Sequence, residues 1–260
     1  MSTNLLDLRS RPDHAAERAS QLLFGEPIRV LSVRKGFVHV RQVDDYHGWV
    51  DCRFLRKASK VEFARWDLQV NAVIKSQRAA LYANRSARPT SPHFILYGTQ
   101  VRVVNDKNGF SALQLPDGAK VYVKSAHIRP INKTTGKMLT GERLLAEARR
   151  FLGVPYLWGG LSPLGFDCSG LMKALFGAFG ITLPRDTREQ IKVGRKVDRD
   201  STRTGDLLFF DRHVGLAIGR TRILHASRGG GGVRINALSQ DEPAYRADLD
   251  RDFNQARRIL

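Results

Sequence analysis

Two stretches of the chain alternate apolar and polar residues in short runs broken by Gly and Asp, the pattern of half-buried strands joined by tight turns. Ile28 and Val30 carry it in the first stretch, Val101 and Val103 in the second. The two are copies of one unit. LLFGEPIRVLSVRKGFVHVRQVDDYHGWVDCRFL (Leu22–Leu55) aligns without gaps to ILYGTQVRVVNDKNGFSALQLPDGAKVYVKSAHI (Ile95–Ile128). Gly25 meets Gly98, Gly36–Phe37 meets Gly109–Phe110, and Trp49–Val50 meets Tyr122–Val123. A run of strands this short is too small for a sandwich and suits a small closed barrel. Residues 57–88 join the copies, and Pro130–Thr140 reads as a polar linker.

Beyond the linker the period changes. Thr140–Leu152 predicts a helix capped by Thr140, with Leu144, Leu145, Ala148, Phe151 and Leu152 on one stripe. The remainder mixes helix and strand. The chain therefore divides into two β modules, residues 1–72 and 73–132, and an α+β domain over residues 138–260.

Three residues of the last domain form a candidate catalytic set. Cys168 follows a Gly-containing turn and opens a helical stretch through Leu171, Leu175 and Phe179. A cysteine there meets free N–H groups and the helix dipole, which favour a thiolate; a buried small hydrophobe is the plain alternative. HVGLAIG and RILHAS read as strands of a hairpin around Gly219–Arg220–Thr221. Pairing symmetric about Gly219 sets His213 opposite His225 on one face, with Cβ atoms about 4.5–5.5 Å apart. Val214, Leu216, Ile218 and Leu224 then face the other way and bury. A nucleophile, a base and an orienting group are the parts of an activated thiol.

Composition narrows the classes. Among 260 residues, 43 Lys and Arg against 25 Asp and Glu give a formal charge of +18. Those cations are scattered, with no run of five, so an anionic substrate explains them as well as nucleic acid does, and no nucleic-acid partner is expected. The 42% hydrophobic and 26% charged fractions are those of a folded globular chain. No run approaches the ~18 apolar residues that span a bilayer, and the first twenty residues lack the apolar core of a secretory signal, so no membrane association and a cytoplasmic location are expected. Two cysteines, Cys52 and Cys168, supply neither a disulfide framework nor a Cys-only zinc site. The other histidines show no metal spacing, and no metal or cofactor is expected. Gly229–Gly232 lacks the Lys-Ser/Thr of a phosphate loop and reads as a flexible loop bordering the site.

PYLWGG, FDCSG, LPRDT, GDLLFF, HVGLAIG and ILHAS, in this order, resemble the NlpC family of papain-like cysteine peptidases, which cleave cell-wall peptides. The resemblance implies Cys168 as nucleophile, His213 as base and His225 as third polar residue, with Tyr156 beside the nucleophile. With two bacterial SH3-like modules in front, LLFGE in the first and QARRIL at the end, the chain is similar to the γ-D-glutamyl-L-diamino acid endopeptidases (dipeptidyl-peptidase VI). That implies an α+β fold, a papain-like domain preceded by two SH3-like barrels, acting in peptidoglycan recycling on murein peptides with a free N-terminal L-Ala; a monomer is expected.

On this basis the Cys168 thiolate, paired with protonated His213, attacks the γ-D-glutamyl carbonyl, and His213 then protonates the leaving amine. His225 accepts from the far nitrogen of His213, and the Cys168 N–H with the Tyr156 hydroxyl forms the oxyanion site. Asp186 and Thr187 are expected at the amine-binding end, with Asp167, Ser169 and Trp158 as further lining residues. Capping is the competing role for Asp167 and Asp186. From the front half the resemblance brings Tyr82, and at the family's acidic position this chain has His47, with Asp44, Asp45 and Asp51 as replacements. An amidase or acyltransferase on the same scaffold, and a non-catalytic wall-peptide binder, are the competing functions.

Overall fold

The computed structural model describes residues 3–85, 89–131 and 139–260. The expected linker lies, over residues 132–138, outside them. The chain forms two units, Met1–Asn132 and Lys133–Leu260.

In the first unit, β1 (Leu5–Arg9), β2 (Arg18–Leu23), β3 (Arg29–Arg34), β4 (Phe37–Arg41) and β5 (His47–Asp51) form an antiparallel sheet in the order β2-β1-β5-β4-β3. Leu6, Leu8, Leu22, Val38, Val40 and Val50 supply its core. Helix α1 (Lys60–Gln69) follows, opened by a Ser59–Glu62 capping box. A second sheet takes β6 (Ala72–Ile74), β7 (Arg78–Tyr82), β8 (Pro89–Leu96), β9 (Gln100–Lys107), β10 (Phe110–Gln114), β11 (Lys120–Lys124) and β12 (Ile128–Pro130).

The repeat is longer than its visible sequence. At the same offset of 73 residues, β1 falls on β7, β4 on β10 and β5 on β11, and each copy closes on a single 3-10 turn, at Cys52–Phe54 and Ser125–His127. Residues 57–88 are thus not simply a connector: they hold α1, β6 and β7. The matching hairpins turn on Lys35–Gly36 and Asn108–Gly109, all four residues at positive φ (49°, 77°, 56° and 75°). Two such residues make the turn whose twist fits the flanking strands, which is why both copies keep glycine there.

The second unit starts with α2 (Gly141–Arg149), capped by the Thr140 hydroxyl, which accepts from the Arg143 N–H at 3.3 Å. Leu144, Leu145, Ala148 and Phe151 bury as expected, but the helix stops before Leu152, which is 46% exposed. A short hairpin of β13 (Leu161–Ser162) and β14 (Gly165–Phe166) leads into α3 (Cys168–Gly177). After α4 (Thr187–Gln190), the strands β15 (Arg195–Val197), β16 (Leu207–Phe210), β17 (His213–Ile218), β18 (Arg222–Ser227) and β19 (Gly232–Ala237) precede α5 (Ala247–Arg251) and β20 (Gln255–Arg258). The sheet runs β15-β20-β16-β17-β18-β19, and α3 packs on β17 and β18. On the other face Leu208, Phe210, Ala217, Ile223, Leu249 and Ala256 form a second core.

The last strand is pinned by charge. Arg258 forks onto Asp206, Nε to one carboxylate oxygen at 2.8 Å and Nη2 to the other at 2.7 Å. The aspartate of the GD motif and Arg258 are therefore a structural clip.

Candidate active site

Cys168 is the first residue of α3 and only 8% exposed. Asp167 caps that helix, accepting from the Gly170 N–H at 2.6 Å. The same carboxylate accepts from the Gly159 N–H at 2.9 Å and from both terminal nitrogens of Arg185, at 3.1 and 2.6 Å. A carboxylate has about four acceptor positions, so Asp167 is fully occupied. It fills the capping role and holds a buried ion pair. Ser169, also expected to line the site, accepts from Arg185 at 2.9 Å and is 5% exposed. Arg185, 2% exposed, was not singled out in the sequence, although a buried cation is what the PRDT motif adds beneath the nucleophile.

Gly170 explains the glycine of DCSG. A Cβ on it would lie 2.0 Å from the Gly160 carbonyl oxygen, so the PYLWGG loop and α3 meet backbone to backbone.

The hairpin brings the two histidines together in a register other than the symmetric one. The ladder pairs Leu216 with Leu224 and Ile218 with Arg222, which centres the three-residue connection on Arg220 rather than Gly219. His225 then lies across from Gly215, not His213. A Cβ at Gly215 would sit 2.9 Å from the His225 Cβ, so the missing side chain opens the path along which the imidazoles meet diagonally. His213 Nε2 and His225 Nδ1 are 2.7 Å apart.

Asn236, on β19, completes the row: its Oδ1 is 2.9 Å from His225 Nε2. The Asn236 amide cannot be turned around, because its Nδ2 donates to the Ala244 carbonyl at 2.9 Å. Oδ1 only accepts, so His225 carries its proton on Nε2 and offers the Nδ1 lone pair. His213 must then donate from Nε2, which leaves its Nδ1 as the basic nitrogen. The acceptor role of His225 is legible in the sequence; Asn236, which fixes His225 itself, is not. Its only sequence signal is an asparagine in a strand two residues after Arg234, which lies opposite His225.

The cysteine sulfur sits beside this row. It accepts from the backbone N–H of Val214, the residue after His213, and from that of Ser169. The Thr187 hydroxyl is 3.9 Å away. Burial, followed by the Asp167 charge, raises the thiol's pKa; Thr187 and the two N–H groups oppose this without reversing it. Burial likewise holds both imidazoles well below their ordinary range. Both shifts work against the expected thiolate–imidazolium pair. The N–H groups at the helix start do favour the anion, but desolvation outweighs them.

Tyr156 and Trp158 line a cavity of about 350 Å³ with Arg228 and Gly231. Burial keeps the Tyr156 phenol protonated, so it is a permanent donor. Asp186 occupies the N-cap position of α4 without a side-chain capping bond; its carboxylate lies 3.8 Å from Arg188. Tyr82 and His47 belong to the first unit. Tyr82 pairs with Tyr122 and meets the Phe110 ring edge-on at 5.6 Å. His47 is exposed at the start of β5, 5.7 Å from His39, whose ring stacks on Trp49. Of the acidic replacements, Asp51 is taken up by Arg53 at 2.6 Å and Asp45 faces Arg41 at 3.5 Å.

Nucleophilic thiol, imidazole base, orienting imidazole and amide define a hydrolase of the cysteine-peptidase type on a papain-like domain. Comparison with known proteins agrees. The NlpC/P60 family profile matches residues 153–251, and that of the bacterial dipeptidyl-peptidase Sh3 domain matches residues 8–54. The chain is 30% identical over 246 residues to the γ-D-glutamyl-L-lysine dipeptidyl-peptidase of Bacillus subtilis, covering 88% of this chain and 78% of that one. It is 29% identical to dipeptidyl-peptidase 6 of Lysinibacillus sphaericus, covering 94% and 93%. A crystal structure of an NlpC/P60 family protein from Bacillus cereus, 24% identical, shares the fold with a TM-score of 0.86 over 100% of this chain and 98% of that one. The chain belongs to the NlpC/P60 family of cysteine peptidases.

Proposed function

We propose that the protein hydrolyses the bond between γ-D-glutamate and a diamino acid in murein peptides that keep a free N-terminal L-Ala, as a step of peptidoglycan recycling. The observation that carries this reading is the extent of similarity: the match to a γ-D-glutamyl-L-lysine dipeptidyl-peptidase covers 88% of the chain, well beyond the peptidase domain alone. A cytoplasmic, monomeric enzyme acting on released peptides fits that role.

In the proposed reaction the Cys168 sulfur bonds to the γ-carbonyl carbon while His213 Nδ1 takes the thiol proton. The oxyanion receives the Cys168 N–H and the Tyr156 hydroxyl. Collapse breaks the C–N bond, and His213 returns its proton to the leaving amine. Water, deprotonated by His213, then attacks the thioester, the C–S bond breaks, and the thiol takes back its proton as L-Ala-D-Glu leaves. His225 and Asn236 keep the Nε2–H of His213 engaged and its ring in one orientation throughout. Asp186 and Thr187 are assigned to the end that receives the substrate amine.

The test is mass spectrometry of L-Ala-γ-D-Glu-diaminopimelate and its lysine counterpart incubated with the protein. N-acetylated peptides and the Cys168→Ala variant serve as controls. Release of L-Ala-D-Glu from the free peptides alone, abolished in the variant, is expected. Equal cleavage of the acetylated peptides would refute the amine requirement, and no cleavage of any would refute the substrate.

A further inference from the structure

The cavity beside the nucleophile contains a cation that the chemistry above does not use. Of its lining residues, Tyr156 is a neutral donor, Trp158 presents an indole 56% exposed, Gly231 offers backbone, and Arg228 brings a guanidinium. None of the four carries a negative charge. Elsewhere in this unit Arg185, Arg199, Arg222, Arg246 and Arg258 each meet a carboxylate. Arg228 has no ion pair with a carboxylate among the described residues. Asp167, the acid whose charge acts on Tyr156, is already spent on Arg185.

The loop that presents Arg228 is held in place. Ser227 accepts the Gly230 N–H at 3.1 Å, and the Arg228 carbonyl accepts from Gly231 at 3.3 Å. The Tyr156 N–H donates to the Gly231 carbonyl at 3.1 Å, and Pro155 bridges to Gly232. The phenol, the indole and the guanidinium therefore stand on two stretches of backbone hydrogen-bonded to each other. Arg234 adds a second guanidinium beneath this loop, donating to the Gly230 carbonyl at 3.1 Å. A volume of about 350 Å³ is at the small end of ligand sites, the size for one or two residues rather than a long chain.

We infer that this cavity is a carboxylate subsite, in which Arg228 receives a free carboxylate of the substrate peptide while Trp158 covers the aliphatic chain that carries it. A planar guanidinium matches a carboxylate bidentately, whereas an ammonium would supply only a point charge. The inference rests on the proposed peptidase reading and deepens it: the enzyme recognises stem peptides by their acid groups as well as by the amine. The carboxylate belongs either to the α-position of D-glutamate or to the diamino acid.

The experiment separates these sources. Wild type, Arg228→Gln and Arg228→Lys are assayed on three peptides: the free acid, its D-glutamate α-amide, and its diamino acid carboxamide. On the free acid, Arg228→Gln is expected to lower kcat/KM at least tenfold, mainly through KM, with Arg228→Lys in between. On one amide, wild type and Arg228→Gln should be equal, and that peptide identifies the carboxylate that is bound. Because Arg228 is exposed, the midpoint of unfolding should not move. Equal kcat/KM of wild type and Arg228→Gln on the free acid would overturn the subsite, as would the same fold loss on all three peptides. If wild type cleaves none of them, the substrate reading falls and the subsite with it.

Discussion

Asn236→Leu removes the one acceptor that decides where the proton sits in the histidine row, with similar volume and no new charge. His225 is 1% exposed, so its Nε2–H loses a partner that water does not replace. Leaving a buried donor unsatisfied costs about 1–3 kcal/mol. That cost falls on the tautomer with the proton on Nε2 and not on the one with the proton on Nδ1. When the proton moves to Nδ1 it points at His213, whose own proton must shift from Nε2 to Nδ1, and the base is lost. At 1.36 kcal/mol per decade, kcat/KM should drop roughly 5- to 150-fold, mostly in kcat, because substrate contacts are untouched. The assay is steady-state hydrolysis normalised to titrated Cys168 thiol, so that loss of folded protein is not counted as loss of rate. Asn236→Asp keeps an acceptor toward Nε2–H and should recover most of the rate. Its charge also favours protonated imidazole, so the acid limb of the pH profile should move upward. A rate within twofold of wild type in Asn236→Leu, or an equal loss in both variants, would refute tautomer control by Asn236.

The buried histidines also set a pH dependence of stability. Because folding holds both imidazoles below their ordinary pKa, the unfolded chain takes up protons first. The free energy of unfolding should therefore be full above about pH 6.5 and decline as the pH falls below it; urea midpoints should show a shallower decline in His225→Gln. Gly170→Ala places a Cβ 2.0 Å from a backbone oxygen, and the forced separation of loop and helix should cost about 1–3 kcal/mol, read as a lower urea midpoint with unchanged slope. Arg258→Met leaves Asp206, 2% exposed, without its guanidinium; about 3–5 kcal/mol of stability should be lost, and circular dichroism melts of Asp206→Asn with Arg258→Met together should recover part of it.

Much of this protein is legible from local pattern. The alternation and its repeat predict paired strands, because inward and outward positions in a strand differ by one residue whatever lies around them. The short motifs place Cys168 at a helix start and set His213 and His225 on the two strands of a hairpin, since helix caps and hairpin loops depend on a few neighbouring residues. The strand β7 escaped the repeat because its match to β1 lies in burial and pairing more than in residue identity: Leu6 and Leu8 answer to Ala79 and Leu81, and only the second pair is identical. What distant parts of the chain do to one another was decided only in three dimensions. The hairpin register sets His225 against Gly215, where a side chain would not fit. Asn236 reached His225 through a third strand, and Arg185 took Asp167 from 18 residues away. The titration of Cys168 and His213 is set in the same way: a helix start favours a thiolate locally, but burial is a property of everything packed around it, and here it raises the pKa of the thiol and lowers that of the imidazole.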